Sequence, residues 1–326
     1  MKKILLIFIA LPMIGFGQQT YVPDDNFEAY LEANGMGNGI PNDDYVTTAN
    51  INIVSYLYVN NQNIADLTGI EDFDSLQNLL CFSNQLTSLD VSGASALTYL
   101  NCQSNQLTTL DVSANTALTH LYCKQNLLTS LDLSTNLALT YLYCGENQLT
   151  SLDVSNNTAL TNLSCHSNQL TSLNVSTNTA LTSLSCNDNL ISCLDVSVNL
   201  VLTNLNCSNN LIGQLNTKNG SWINNLYVNA MSNNLLCAEV DNIGYATNNW
   251  LFDSFTSLNT NCNYSNACNM IYGCTDLLAC NYNSSANIDD SSCDYPSGIQ
   301  QSFSICDGDS VVIGSSIYNT TGNYID

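Results

Sequence analysis

Leucine returns along this chain at intervals that suit neither an amphipathic helix nor a simple alternating strand. From Leu97 the pattern runs Leu97, Leu100, Cys102, Asn105, then Leu107, Leu110, Val112, Asn115, two half-units ten residues apart. The whole unit then repeats. Cys81, Cys102, Cys123, Cys144, Cys165, Cys186 and Cys207 are 21 residues apart each time. Asn84, Asn105, Asn126, Asn147, Asn168, Asn189 and Asn210 keep the same step, as do Leu89, Leu110, Leu131, Leu152, Leu173, Leu194 and Leu215. A divergent earlier copy passes through Leu57, Val59, Ile64, Leu67 and Ile70. A fixed period of this length marks a solenoid. In L-x-C the two apolar side chains share one face of a strand, and the residue between them faces solvent. One unit cannot bury its leucines alone, so copies must stack at strand spacing, ~4.8 Å, as parallel ladders around a continuous core. The asparagine after each strand predicts a turn, its amide bonded to backbone groups inside the bend. The repeats are dense in Thr, Ser and Asn and have short connections, which leaves no room for helices.

The ends of such a stack need covers. After Pro23, a capped helix from Asp24 would place Phe27, Tyr30 and Leu31 on one face, within a cap spanning residues 18–50. Beyond the repeats, Cys237, Val240, Trp250, Phe255 and Cys262 break the period.

The motif L-x-x-L-x-C-x-x-N followed by L-x-x-L-D-V-S-x-N resembles the leucine-rich repeat, in particular a short bacterial form with nested ten- and eleven-residue halves. The resemblance covers roughly residues 51–217 and implies a repeat solenoid with parallel β ladders, short turns and little helix. Residues 218–262 resemble the C-terminal cap of such solenoids, which implies a Cys237–Cys262 bridge. Residues 263–297 resemble a small cysteine-containing module that recurs in exported bacterial surface proteins. Its Cys268, Cys274, Cys280 and Cys293 allow two disulfides in three connectivities. Residues 298–326 resemble the opening strands of a β-sandwich-like module, with Val311, Val312, Ile313, Ile317 and Tyr318 as strand residues. The sandwich would be cut short at Asp326, with Cys306 lacking an obvious partner. The combination is similar to cargo of the bacterial type IX secretion route, which implies a sorting domain beyond Asp326.

Charge and the first residues narrow the setting. Lys2 and Lys3 precede an apolar run from Ile4 to Phe16, a pattern of a secretory signal peptide over residues 1–17, and no cysteine at its end predicts a lipid anchor. No stretch reaches the ~20 apolar residues of a membrane span. The chain has 27 acidic and 4 basic residues, and only Lys124 and Lys218 lie beyond the leader. Nucleic acid is therefore excluded as a partner on electrostatic grounds. Arginine is absent, the two histidines His120 and His166 form no zinc motif, and no nucleophile elbow or phosphate loop occurs. These absences point away from an enzyme.

Three side-chain columns remain as candidate chemistry. The periodic cysteines take the inward place of leucine and read as small core residues. Parallel rungs suit disulfide dihedrals poorly. Cys193, which replaces a serine, should face outward and has no evident partner. Asp90, Asp111, Asp132, Asp153 and Asp195 share one position, interrupted by Asn174 and Asn216. They either bridge through a divalent cation such as calcium or bond to nearby serine and threonine. Finally, the residues flanking the second leucine of each strand face solvent, and aromatic ones gather on three rungs: Tyr99, His120 with Tyr122, and Tyr141 with Tyr143. Tyrosine brings large amphipathic area at low entropic cost. These residues predict an extracellular or cell-surface binding and adhesion module for a protein or carbohydrate ligand. The alternative is a spacer in a larger secreted enzyme or structural surface protein.

Overall fold

The structure, a computed structural model, describes residues 17–262 and the backbone of four short strands at 272–273, 288–289, 311–313 and 316–318. It opens with β1 (Gln19–Tyr21), α1 (Asp25–Ala33), β2 (Tyr45–Thr47) and α2 (Thr48–Ile51). Asp24 starts α1 by accepting from the Asn26 and Phe27 amides through Oδ1. Its Oδ2 accepts from the Ala65 and Asp66 amides, which pins the helix to the first rung. Phe27, Leu31, Val46 and Ile51 are fully buried over the end of the stack, as a cap requires.

The solenoid follows as three-residue strands: β3 (Tyr56–Tyr58), β4 (Asn78–Leu80), β5 (Tyr99–Asn101), β6 (His120–Tyr122), β7 (Tyr141–Tyr143), β8 (Asn162–Ser164) and β9 (Ser183–Ser185). Then come β10 (Cys193–Asp195), β11 (Asn204–Asn206), β12 (Gln214–Asn216), β13 (Tyr227–Asn229), β14 (Cys237–Glu239), α3 (Ile243–Asn249) and β15 (Ser257–Asn259). Strands β3 to β9, β11 and β13 form one parallel sheet, each pairing with its sequence equivalent in the next rung. Strands β10, β12, β14 and β15 form a second, shorter parallel sheet on the other half-unit. Both sheets thus continue past Thr217 into the segment where the period breaks. Further along, β16 (Tyr272–Gly273) pairs with β17 (Ile288–Asp289), and β18 (Val311–Ile313) forms an antiparallel hairpin with β19 (Ser316–Tyr318). The disulfides expected among Cys268, Cys274, Cys280 and Cys293, and the partner of Cys306, lie outside the described residues.

The core is the set of columns read from the period. Leu97, Leu100, Leu107 and Val112 are fully buried, and their equivalents repeat this rung after rung. All seven periodic cysteines are fully buried and free, occupying the place of leucine. Burial pushes the Cys102 thiol up to about 12, and desolvation pushes up the other six likewise.

Between the two halves of each rung, the chain turns through a residue with positive φ, such as Ser104 at 55°, Gln125 at 60° and Glu146 at 51°. The next asparagine makes that turn tolerable. Asn126 donates through Nδ2 to the Cys102 and Cys123 carbonyls, at 3.0 and 3.1 Å, and accepts from the Leu107 amide at 3.0 Å. One amide therefore satisfies buried backbone groups on two successive rungs.

Two expectations follow. Asn126→Ala leaves the buried Leu107 N–H without its acceptor, at roughly 1–3 kcal/mol, and takes one of two asparagine donors from the Cys102 and Cys123 carbonyls, which keep Asn105 and Asn147. Chemical denaturation should show a loss of about 2–4 kcal/mol, and a loss under 1 kcal/mol would contradict the ladder's role. The seven column thiols should resist a thiol-specific alkylating reagent in native buffer and react once the chain is unfolded. Peptide mapping by mass spectrometry checks this, and labelling of any of the seven in the native chain would contradict their burial.

Candidate functional site

The main sheet presents two outward columns, one on each side of its central leucines. The first runs Tyr56, Asn78, Tyr99, His120, Tyr141, Asn162, Ser183, Asn204 and Tyr227. The second runs Tyr58, Leu80, Asn101, Tyr122, Tyr143, Ser164, Ser185, Asn206 and Asn229. The five aromatic residues singled out from the sequence meet one another. His120 and Tyr141 stack with centroids 4.5 Å apart and planes at 10°, and Tyr122 stacks on Tyr143 at 4.9 Å and 10°. Tyr99 joins the columns, lying 5.5 Å from His120 and 5.3 Å from Tyr122. In-register parallel strands impose this spacing, because identical positions on adjacent rungs lie one strand separation apart.

Stacking changes the expected exposure. The five rings are half-buried, and Asn101 and Ser164, expected in solvent, are only 7% and 9% exposed. Asn101 lies between Tyr99 on its own strand and Tyr122, its partner on the next rung, and its Oδ1 accepts from the Gln103 amide at 3.2 Å. Desolvation, then the neighbouring Tyr99 and Tyr143 phenols, pushes the Tyr122 hydroxyl up to about 12. Burial among the rings lowers the His120 pKa, so the imidazole in the stack is neutral at pH 7.

The sequence reading passed over Tyr56 and Tyr58, exposed at 55% and 51% on the first rung, and Tyr227 on the last. Their place in the same columns was available from the divergent copy at Leu57 and from the strand spacing. Also unforeseen is a cavity of about 540 Å³ on the second face, near the N-terminal end. Asp66, Glu71, Asp90 and Asp111 line it together with Leu67 and Leu89.

The acidic column is engaged in turns. The Oδ1 atoms of Asp90, Asp111, Asp132 and Asp153 accept from the amides of Ser92, Ser113, Ser134 and Ser155, at 2.8–2.9 Å. Asn174 makes the same bond to Ser176 at 3.0 Å, and Asn216 to Lys218 at 3.1 Å. What the position requires is a side-chain oxygen two residues before an amide, with or without charge. Among the described residues, no group of three or more His, Cys, Asp or Glu is placed to hold a metal ion.

Cys237 and Cys262 form a disulfide, with Cα atoms 5.9 Å apart. Cys193 departs from expectation, for it is buried and disulfide-bonded. The equivalent positions Thr109, Ser130 and Ser151 on earlier rungs are exposed.

No protein-family model and no curated protein sequence matches the chain. Solved structures do. The functional domain of InlJ from Listeria monocytogenes, which includes a cysteine ladder, is 32% identical over 73% of this chain, with a TM-score of 0.55. This chain covers 62% of that domain. Internalin C2 from the same species is 20% identical, with a TM-score of 0.51, covering 74% of this chain and 99% of its own. A leucine-rich-repeat protein of Leptospira interrogans is 21% identical, with a TM-score of 0.52, covering 65% of this chain and 58% of its own. The fold is that of a bacterial leucine-rich-repeat solenoid.

The acidic turns carry a pH signature. Hydrogen bonds from Ser92, Ser113 and Ser134 hold Asp90, Asp111 and Asp132 below the ordinary value of 3.8. A carboxylate with a lowered folded pKa contributes stability that is complete above the unfolded value and lost as pH falls through the folded one. Asp111→Asn keeps the acceptor, as Asn174 does naturally. Its melting temperature at pH 7 should stay within about 2 °C of the parent, while the decline below about pH 4 becomes shallower. Melting curves from pH 7 to pH 2 test this, and a large loss at neutral pH would show that the charge itself is needed.

Proposed function

We propose that this chain is an extracellular or cell-surface binding module that takes a protein ligand on the aromatic rungs of its main sheet. The observation that carries the reading is the stack of Tyr99, His120, Tyr122, Tyr141 and Tyr143 on three adjacent rungs. The next rungs of the same face are Ser and Asn. Tyrosine among serine and asparagine is the composition of adaptable protein-binding surfaces, with rigid aromatic anchors and small hydrogen-bonding neighbours. Because the rings lie face to face, they present edges and hydroxyls outward. That suits packing against a polypeptide and its polar groups better than the free ring face on which a sugar stacks.

Export rests on the leader pattern of residues 1–17 and is supported by the Cys237–Cys262 disulfide, which belongs in an oxidising compartment. Among the described residues, no helix is long and apolar enough to cross a membrane. Delivery by the type IX route is part of the same proposal and requires a sorting domain beyond Asp326. Calcium enters only as a stabiliser of the acidic column, and equal melting curves with calcium and with chelator would remove it.

The test compares the parent chain with a Tyr122→Ser, Tyr143→Ser variant on arrays of extracellular proteins and of glycans. Losing the ring contacts should cost on the order of 1–3 kcal/mol of stability, because each aromatic pair contributes about 0.5–1.5 kcal/mol beyond its area. The variant should fold and lose protein capture at least tenfold, as removal of a central tyrosine anchor does at interfaces. Protein capture unchanged in the folded variant would overturn the site, and capture of glycans alone would overturn the ligand class.

A further inference from the structure

A second asparagine column stands ten residues after the first, and it leaves one atom per rung unaccounted for. Asn115, Asn136, Asn157, Asn178 and Asn199 are at most 1% exposed. Each donates both Nδ2 protons to carbonyls of the preceding rung. Asn115 bonds Val91 and Ala94 at 2.9 and 2.8 Å, and Asn157 bonds Leu133 and Asn136 at 3.1 and 2.9 Å. The Oδ1 of every one of the five is buried without a hydrogen-bond partner. Reversing the amides is no remedy, since it would set each oxygen against two carbonyl oxygens.

The first column shows what a completed site looks like. There, Oδ1 of Asn105, Asn126, Asn147, Asn168, Asn189 and Asn210 accepts from a backbone amide of the preceding rung, the Leu86 N–H donating to Asn105 at 3.0 Å. The end of the second column supplies an internal control. Asn219 clips the Val196 and Asn199 carbonyls like its predecessors, but its Oδ1 accepts from the Ser221 amide at 2.9 Å. The five interior oxygens receive no such donor. The Ser92, Ser113 and Ser134 amides are already bonded to the aspartates of their own turns.

A buried acceptor without a donor loses its full hydration on folding, and five in succession would rival the whole stability margin of a domain. Buried polar groups in this position bind ordered water. A cavity of about 50 Å³ is lined by Asn157 together with Asp132, Ser134 and Asp153. A water molecule occupies about 30 Å³ in the liquid and needs two to four polar partners, so one fits there. The sites are neutral amide oxygens and repeat at rung spacing, ~4.8 Å, too far apart for adjacent waters to bond directly.

We infer that the second asparagine column is a binding site for a file of discrete water molecules, one per rung, each donating to an Asn Oδ1. Five interior waters then belong to the folded solenoid, and the column ends where the chain provides its own donor.

A crystal structure of the full chain at a resolution that orders solvent tests this directly. It should show a water within hydrogen-bonding distance of Oδ1 at Asn115, Asn136, Asn157, Asn178 and Asn199, and none at Oδ1 of Asn219. Bare oxygens at these rungs, or protein donors moved onto them, would overturn the inference. Water-deuteron relaxation dispersion reads the same feature in solution. A dispersion amplitude matching about five long-lived waters is expected, and its absence would count against the file even if crystals showed solvent there.

Discussion

Everything in the solenoid hangs on the side-chain amide of the first asparagine column. Leucine burial supplies the drive, at about 1.5–3 kcal/mol per fully buried side chain. That drive alone would favour any collapsed arrangement. What makes the chain turn sharply twice per rung is that its inward-facing backbone groups find partners inside the bend. Asn126 reaches the Cys102 and Cys123 carbonyls and the Leu107 amide, three groups that no strand can satisfy. Glutamine would carry the same amide one methylene further out, and aspartate has no protons to donate. The invariance of asparagine along this column is a statement about reach and polarity together.

The cysteines follow from the same constraint. Each sits three residues before an asparagine and lends it a carbonyl, as Cys123 does to Asn126 at 3.1 Å. The side chain at that place must point inward just where the turn tightens, which favours something smaller than leucine. Cysteine is among the most buried residue types and packs as a small apolar group. Its thiol is inert there, because full burial disfavours the thiolate that oxidation and exchange require. The chain can therefore keep seven reduced thiols in one column while closing the Cys237–Cys262 bridge at its end, where the period fails.

Much of the fold was legible because a period of 21 residues puts chemically equal positions in line, and a line of buried leucines leaves little freedom. The first asparagine column and the helix capped by Asp24 were read the same way, as polar side chains placed where backbone groups need partners. Features set by contacts between rungs were not legible. Asn101 reads as an exposed strand residue, yet it is buried beside the Tyr99 and Tyr122 contact. Cys193 looks like a serine that strayed outward, yet it is buried and disulfide-bonded. The turn residues with positive φ gave no signal, because Ser104, Gln125 and Glu146 are not glycines and owe their conformation to the asparagine that follows. Glutamine and glutamate in that region cost about 1–2 kcal/mol each, which the amide's bonds offset.

The same stacking geometry links stability to the recognition proposed for the main face. A parallel in-register ladder places equal side chains one strand separation apart, close to the distance at which aromatic rings attract. Tyrosine on neighbouring rungs therefore stabilises the ladder before any ligand arrives. It also fixes the rings: Tyr122 cannot rotate without losing its contact with Tyr143, at 4.9 Å. A surface ordered in advance loses less rotamer freedom on binding than one whose side chains are loose. Structural and binding roles for these tyrosines are therefore not rival explanations. The packing that steadies three rungs is what would make their edges a preorganised platform, whereas the serines and asparagines beyond Tyr141 and Tyr143 offer hydrogen bonds without such order.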